Sequence, residues 1–235
     1  MASWELDKEN FLSMSFGEKR KLYKSSKYVE LKDIPTWKQY ADKHKLVEPI
    51  PINAQYKINP SLNQALVSKV SMFVGDITTL EVDVITNAAN SSLLGGGGVD
   101  GAIHRAAGPA LKLECQSLHG CETGNAKITG GYKLPAKYVI HTVGPQGEKP
   151  NLLSNCYRNS LGIMKEFGFK TIAFPCISTG IYGYPLIPAA HIAAFEVRNH
   201  LEKFLDVVER VIFCLFSEED EKVYQGILQT YFPLH

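Results

Sequence analysis

The sequence predicts a three-layer α/β/α domain with a central mixed, largely parallel sheet and a helical extension at its N-terminus. Three observations carry that prediction. Short β-branched runs recur at 70–74, 82–86, 138–143, 171–174 and 211–216. Helical stretches lie between or after them, at 102–107 with 109–118, 152–167, 189–204 and 218–231. The strand runs are short and apolar, as strands are when crossover helices cover both faces of a parallel sheet. At 45% hydrophobic residues over 235, the chain holds enough apolar material for such a core.

Residues 1–66 read differently from 67–235, and we expect an extension with a tether followed by the main domain. Charged residues and scattered aromatics at helical spacing predict short amphipathic helices over 16–23 and 37–44. Pro35, Pro49, Pro51 and Pro60 punctuate the segment, and 47–62 reads as an extended tether lying on the surface. The extension is expected to pack on the domain.

Composition narrows the function classes. A net charge of +1 gives no broad attraction to nucleic acid or an anionic membrane, and no basic stripe with interleaved aromatics occurs, so neither partner is expected. Cys115, Cys121, Cys156, Cys176 and Cys214 are odd in number, and no pair has zinc-knuckle or redox spacing. Reduced thiols are expected, with Cys176 and Cys214 as small buried hydrophobes inside apolar runs. No His, Cys and Asp group has metal-ligand spacing, so neither a metal nor another cofactor is expected. The opening Met1-Ala2-Ser3-Trp4-Glu5-Leu6-Asp7 has no apolar run of the kind a secretory leader carries. These features predict an intracellular monomer, in cytoplasm and/or nucleus, with mitochondria also open.

Ligands of open α/β sheets bind beyond the carboxyl ends of the strands. Three unusual segments are expected at those ends. Gly75, Asp76 and Ile77 follow the first core strand. Asn87, Ala88, Ala89 and Asn90 follow the second and lead into Gly95, Gly96, Gly97, Gly98, Val99, Asp100 and Gly101. Ile177, Ser178, Thr179, Gly180, Ile181, Tyr182 and Gly183 follow the strand that ends at Phe174.

Four consecutive glycines cost backbone entropy, and a folded chain keeps them where backbone N–H groups must approach an anion closely. The run opens a helix, whose dipole adds to that attraction. It lacks the Gly-Lys-Ser/Thr of a nucleotide-triphosphatase loop. The segment from Ser178 to Gly183 can present amides and hydroxyls from the other side, with Tyr182 closing over them. Two facing amide-lined loops with no lysine or arginine suit a diphosphate bridge held by dipoles.

These motifs, in this order, resemble the macrodomains, and specifically the MacroD-type subgroup. The resemblance covers about residue 67 to the C-terminus, and the helical extension also looks like that subgroup's N-terminal region. It implies an enzyme that binds ADP-ribose, removes mono-ADP-ribose from acidic side chains of modified proteins and deacetylates O-acetyl-ADP-ribose. Mono-ADP-ribosylated proteins and O-acetyl-ADP-ribose are the implied partners, and a non-catalytic ADP-ribose reader is the competing class.

Carried over residue by residue, Asp76 resembles the carboxylate that accepts from the adenine amine, beside the Ile77 backbone. A carboxylate acceptor selects an exocyclic amine over a carbonyl. Asp76 would serve equally as a turn or cap residue. Phe216 resembles the aromatic that stacks on adenine, although a Phe in an apolar strand is also ordinary core. Asn90 resembles the side chain that orients the distal ribose. Asp100 resembles the acid beside the attacking water, and an N-cap for the following helix is its plain structural role. No serine elbow or activated cysteine is present, so water is the expected nucleophile. An Asp of ordinary pKa, about 3.9, is a weak base, so Asp100 needs a raised pKa or help from a substrate phosphate. His104 and His141 are rival bases that read equally as satisfied structural histidines.

Overall fold

A computed structural model describes residues 2–25 and 27–235. The extension contributes helices α1 (Ser3–Ser13), α2 (Phe16–Arg20), α3 (Trp37–Ala41) and α4 (Asn63–Leu66), with the two-residue strand β1 (Val29–Glu30) between α2 and α3. The domain then runs β2 (Val70–Val74), β3 (Leu80–Glu81), β4 (Val84–Ala89), α5 (Gly98–Ala107), α6 (Pro109–Ser117), β5 (Ala126–Gly130) and β6 (Tyr138–Val143). It closes with α7 (Pro150–Glu166), β7 (Thr171–Phe174), α8 (Leu186–Lys203), β8 (Arg210–Leu215) and α9 (Glu218–Tyr231).

The main sheet has six strands in the order β2-β8-β7-β4-β6-β5, and β1 pairs with β3 alone. All neighbours are parallel except β5, which runs antiparallel to β6 at the edge. Successive strand residues point to opposite faces, and two apolar clusters form accordingly. Val84, Ile172 and Val211 pack with residues of α7, α8 and α9 on one face. Their neighbours Ile85, Ala173 and Ile212 pack with residues of α5 and α6 on the other. This is the three-layer, largely parallel architecture that the sequence predicts.

The boundaries differ in instructive ways. β4 runs to Ala89, so Asn87, Ala88 and Ala89 belong to the strand rather than follow it. α5 begins at Gly98, four residues before the predicted start, and the N-cap is Gly97. Asp100 therefore lies inside the first turn and is not the cap. β8 stops at Leu215, leaving Phe216 just beyond the sheet and 93% exposed rather than in the core. The edge strand β5 has one β-branched pair, Ile128 and Thr129, and carries too little signal to be read from sequence. Helix α1 buries no residue, so no apolar stripe announced it.

The extension is fastened at several points. Trp37 and Tyr40 join the core on the α7–α9 side, and the Trp37 indole donates to the Phe232 carbonyl at 3.0 Å. Arg20 makes a bidentate pair with Glu81 at 2.9 and 2.6 Å, and Lys8 pairs with the buried Glu114 of α6. Segment 47–62 lies along α8 and α9: the Ile50 amide donates to Gly226, and Arg198 donates to the Asn59 carbonyl.

Candidate functional site

β4 and β7 deliver two loops to one rim of the sheet, and a cleft of about 310 Å³ opens between them. Ala88, Ala89 and Asn90 line it from the end of β4, and Gly96 to Asp100 from the glycine run and the first turn of α5. Ser178, Gly180, Ile181 and Tyr182 line it from the opposite loop.

On the first side, backbone geometry explains the glycines. Gly95 and Gly98 have φ of +91° and +57°, a region that side chains rarely adopt. A Cβ at Gly96 would lie 3.1 Å from Asp100 Oδ2, and one at Gly101 would collide with the Gly96 carbonyl. The N–H groups of the first helical turn have no intrahelical acceptor, and Gly97 offers no side-chain cap. Those donors and the helix dipole make this end of α5 an anion seat.

The second side is a compact turn. Gly183 donates to the Gly180 carbonyl at 3.0 Å, Tyr184 to the Ser178 carbonyl at 2.9 Å, and Gly147 to the Tyr182 carbonyl at 2.7 Å. Ser178 is held at φ +65°, and its buried hydroxyl has no partner. Gly144, just past β6, sits directly beneath it. A Cβ there would collide with Ser178 Oγ and lie 2.8 Å from Ile177 Cγ2. Gly144→Ala is expected to cost about 1–3 kcal/mol through this overpacking, read as a lowered urea midpoint.

At the floor of the cleft Asp100 is only 4% exposed. Its Oδ1 accepts from Asn87 Nδ2 at 2.8 Å and lies 3.5 Å from His104 Nε2. Burial raises the Asp100 carboxyl above its ordinary pKa, against the opposing pull of the Asn87 hydrogen bond and His104. Burial lowers the His104 pKa and pushes His141 down to about 3, so His141 is neutral at working pH. Asn90 Nδ2 donates to the Gly95 carbonyl at 3.0 Å, while its Oδ1 accepts from the Ser92 amide and hydroxyl. It therefore holds the glycine loop as well as lining the cleft.

The raised Asp100 carboxyl has a consequence for stability. Between the unfolded value of about 3.9 and the higher folded value, the native chain binds more protons than the unfolded one. Stability therefore falls as pH rises through that window, and the cost of an ionised Asp100 is complete above it. Asp100→Asn is expected to stabilise the fold by about 1 kcal/mol at pH 7. Thermal unfolding at several pH values checks this, because the gain must vanish below the unfolded carboxyl range.

Residues 86–193 match the family model of the Macro domain. The chain is 49% identical over 239 residues to the Bos taurus protein named ADP-ribose glycohydrolase MACROD1, covering 98% of this chain and 71% of that protein. The chain belongs to the macrodomain family. It is also 50% identical to the Mus musculus ADP-ribose glycohydrolase MACROD2, over 98% of this chain and 49% of that protein. The chain thus spans about half the length of the MACROD2 relatives it matches. Among solved structures it resembles the Trypanosoma brucei macrodomain in complex with ADP-ribose, with a TM-score of 0.73 and 38% identity. That likeness covers 97% of this chain and 91% of the other.

In this macrodomain the remaining sequence-predicted residues are not part of the cleft lining. Gly75, Asp76 and Phe216 sit at the neighbouring ends of β2 and β8, where the Gly75 amide donates to the Leu215 carbonyl at 3.0 Å. Asp76 Oδ1 accepts from the Thr78 amide and hydroxyl at 2.9 and 2.7 Å, which is the turn role. Oδ2 is left over. Ile77 and Ile177 bury their side chains in the core and offer only backbone. Thr179 closes its own turn onto the Cys176 carbonyl at 3.1 Å, and Gly95 and Gly183 shape the two loops.

The macrodomain cleft also contains residues that sequence reasoning passed over. Gly144 follows β6 as the motif segments follow β4 and β7, so the strand-end rule points to it equally. Cys176 is half-buried and lines the cleft, which corrects its reading as a core thiol; burial pushes it up to about 12. Asn87, named with the segment up to Asn90 but given no role of its own, is fully buried in β4 behind the cleft.

Chain spacing also hid a cluster. Ligand atoms of His104, Cys115 and His141 lie within 4.8 Å of one another, although the three residues are far apart in sequence. Both His141 ring nitrogens already have hydrogen-bond partners, Asn87 and Thr129. A larger cavity, about 1070 Å³, lies elsewhere, between the 119–127 segment and α7. Its lining includes Glu122, Glu166, Lys127 and Arg158.

Proposed function

We propose that this macrodomain binds ADP-ribose and is a hydrolase. On this reading it removes mono-ADP-ribose from acidic side chains of modified proteins, and acetyl from O-acetyl-ADP-ribose, by attack of water. The names of the MACROD relatives and the ADP-ribose complex of the Trypanosoma brucei macrodomain support the ligand. The observation that carries hydrolysis is Asp100, a carboxyl buried at the floor of the cleft with its pKa raised. Residues 67–235 are the proposed catalytic unit, acting inside the cell as a monomer, with 1–66 as its structural extension.

Each part of the ligand has a counterpart. The first turn of α5 and the Ser178–Gly183 loop hold the diphosphate through amides, which suits a chain with a net charge of +1. Asp76 Oδ2 accepts from the adenine amine, and the exposed ring of Phe216 stacks on the base. The second Nδ2 proton of Asn90 addresses the distal ribose hydroxyls. Asp100 takes a proton from a water that a substrate phosphate oxygen helps to place, so positioning supplies much of the acceleration.

Incubating the protein with a glutamate-ADP-ribosylated target and following loss of label tests the reading. Release of ADP-ribose supports it, and tight ADP-ribose binding without release makes the protein a reader.

A further inference from the structure

We propose that a buried relay, Thr129–His141–Asn87, fixes which end of the Asn87 amide faces Asp100 and so positions the reacting carboxylate. This rests on the hydrolase reading above. Asn87, Thr129 and His141 are all fully buried, so neither ligand nor solvent reaches them. Asn87 on β4 lies opposite His141 on β6, beneath α5. Thr129 comes from the edge strand β5.

Donor and acceptor counting sets the direction of each bond. The Thr129 hydroxyl has one proton, which it donates to the Gly130 carbonyl at 3.1 Å. Its oxygen, 2.8 Å from His141 Nε2, must then accept from an Nε2–H. Because His141 is neutral, its Nδ1 is bare and accepts from Asn87 Nδ2 at 3.1 Å. The same amide nitrogen donates its other proton to Asp100 Oδ1 at 2.8 Å.

The cost of this arrangement is visible at Asn87 Oδ1, which is buried without a partner. Rotating the amide would put that oxygen against two acceptors, the bare His141 nitrogen and the Asp100 carboxylate. The histidine tautomer thus decides that Asp100 meets a donor. Burial holds His141 neutral, so the tautomer does not change across working pH. The titratable groups facing Asp100 are His104 on its own helix, His141 behind Asn87, and Cys115 on α6, whose thiol burial pushes up to about 12.

Thr129→Val in the full chain tests the relay, because it removes the hydroxyl acceptor at Nε2 with little change of shape and leaves that nitrogen only the long 3.8 Å contact with Cys115 Sγ. The ring is then free to take the other tautomer and Asn87 to turn away. The expected result is a kcat about 10-fold lower for ADP-ribose release, with KM nearly unchanged. The acid limb of the pH–rate profile moves to higher pH, since Asp100 loses a hydrogen bond that favours its charged form.

Two measurements stand apart from turnover. Nitrogen NMR of the wild-type histidines should show His141 protonated at Nε2 alone from pH 5 to 8. Carboxyl-carbon titration should place Asp100 higher in Thr129→Val than in wild type. An Nδ1–H tautomer in wild type, or an Asp100 titration unmoved by the substitution, overturns the relay. A wild-type protein that releases no ADP-ribose sinks the hydrolase reading instead, and the two spectroscopic results still decide the relay.

Discussion

Asp100→Ala lowers the rate of ADP-ribose release from a glutamate-modified protein by at least about 10²-fold, the scale of a lost general base. ADP-ribose affinity changes far less. The reason is the separation of duties within the cleft. The proposed diphosphate seat consists of backbone amides in the first turn of α5 and in the Ser178 loop, and alanine is a good helix residue that leaves the turn intact. What disappears is the carboxylate that Asn87 holds at 2.8 Å and that burial makes a stronger base. Single-turnover release and calorimetric titration with ADP-ribose, on the same two proteins, check both halves. Wild-type release by the variant removes Asp100 from its assigned role.

Trp37→Ala destabilises the whole domain by about 3–5 kcal/mol, the range for emptying a large aromatic from a packed core. Trp37 is fully buried, although it belongs to the segment that reads as an extension. Its ring stacks near Tyr40, and its indole N–H satisfies the Phe232 carbonyl where α9 ends. The variant therefore loses transfer energy, leaves a cavity and orphans a buried acceptor. Urea unfolding followed by circular dichroism should show one transition at a much lower midpoint, with the slope retained. A loss below about 1 kcal/mol, or a separate early transition for the extension, would show that the segment is an ornament.

The parallel sheet was legible because its strands are apolar on both faces; 70–74, 138–143 and 171–174 coincide with β2, β6 and β7. The edge strand β5 was not, because an edge needs apolar residues on one side only, and Ala126 and Lys127 are poor strand formers. The start of α5 was hidden by glycine. Gly98 and Gly101 score as helix breakers, yet Gly98 takes a φ of +57° and Gly101 must pass close to the Gly96 carbonyl.

The candidate site was legible wherever it is local in sequence. The glycine run, Asp100 and the Ser178 loop announce themselves as motifs that break local propensity rules. The relay behind Asp100 was not legible, since Asn87, Thr129 and His141 sit on three strands and meet only through sheet register. Phe216 shows the converse. Its apolar neighbours suggested core, but the strand ends one residue earlier and leaves the ring outside.

An amide NMR titration of the labelled protein with ADP-ribose tests most directly that the smaller cleft, with its two backbone loops, is the ligand site. The account predicts large shifts at Gly96, Gly97, Gly98, Val99 and Asp100 together with Ser178, Gly180, Ile181 and Tyr182, the amides that face each other across it. Shifts centred instead on His119, Glu122, Lys127 and Asn159, around the larger cavity, would contradict it.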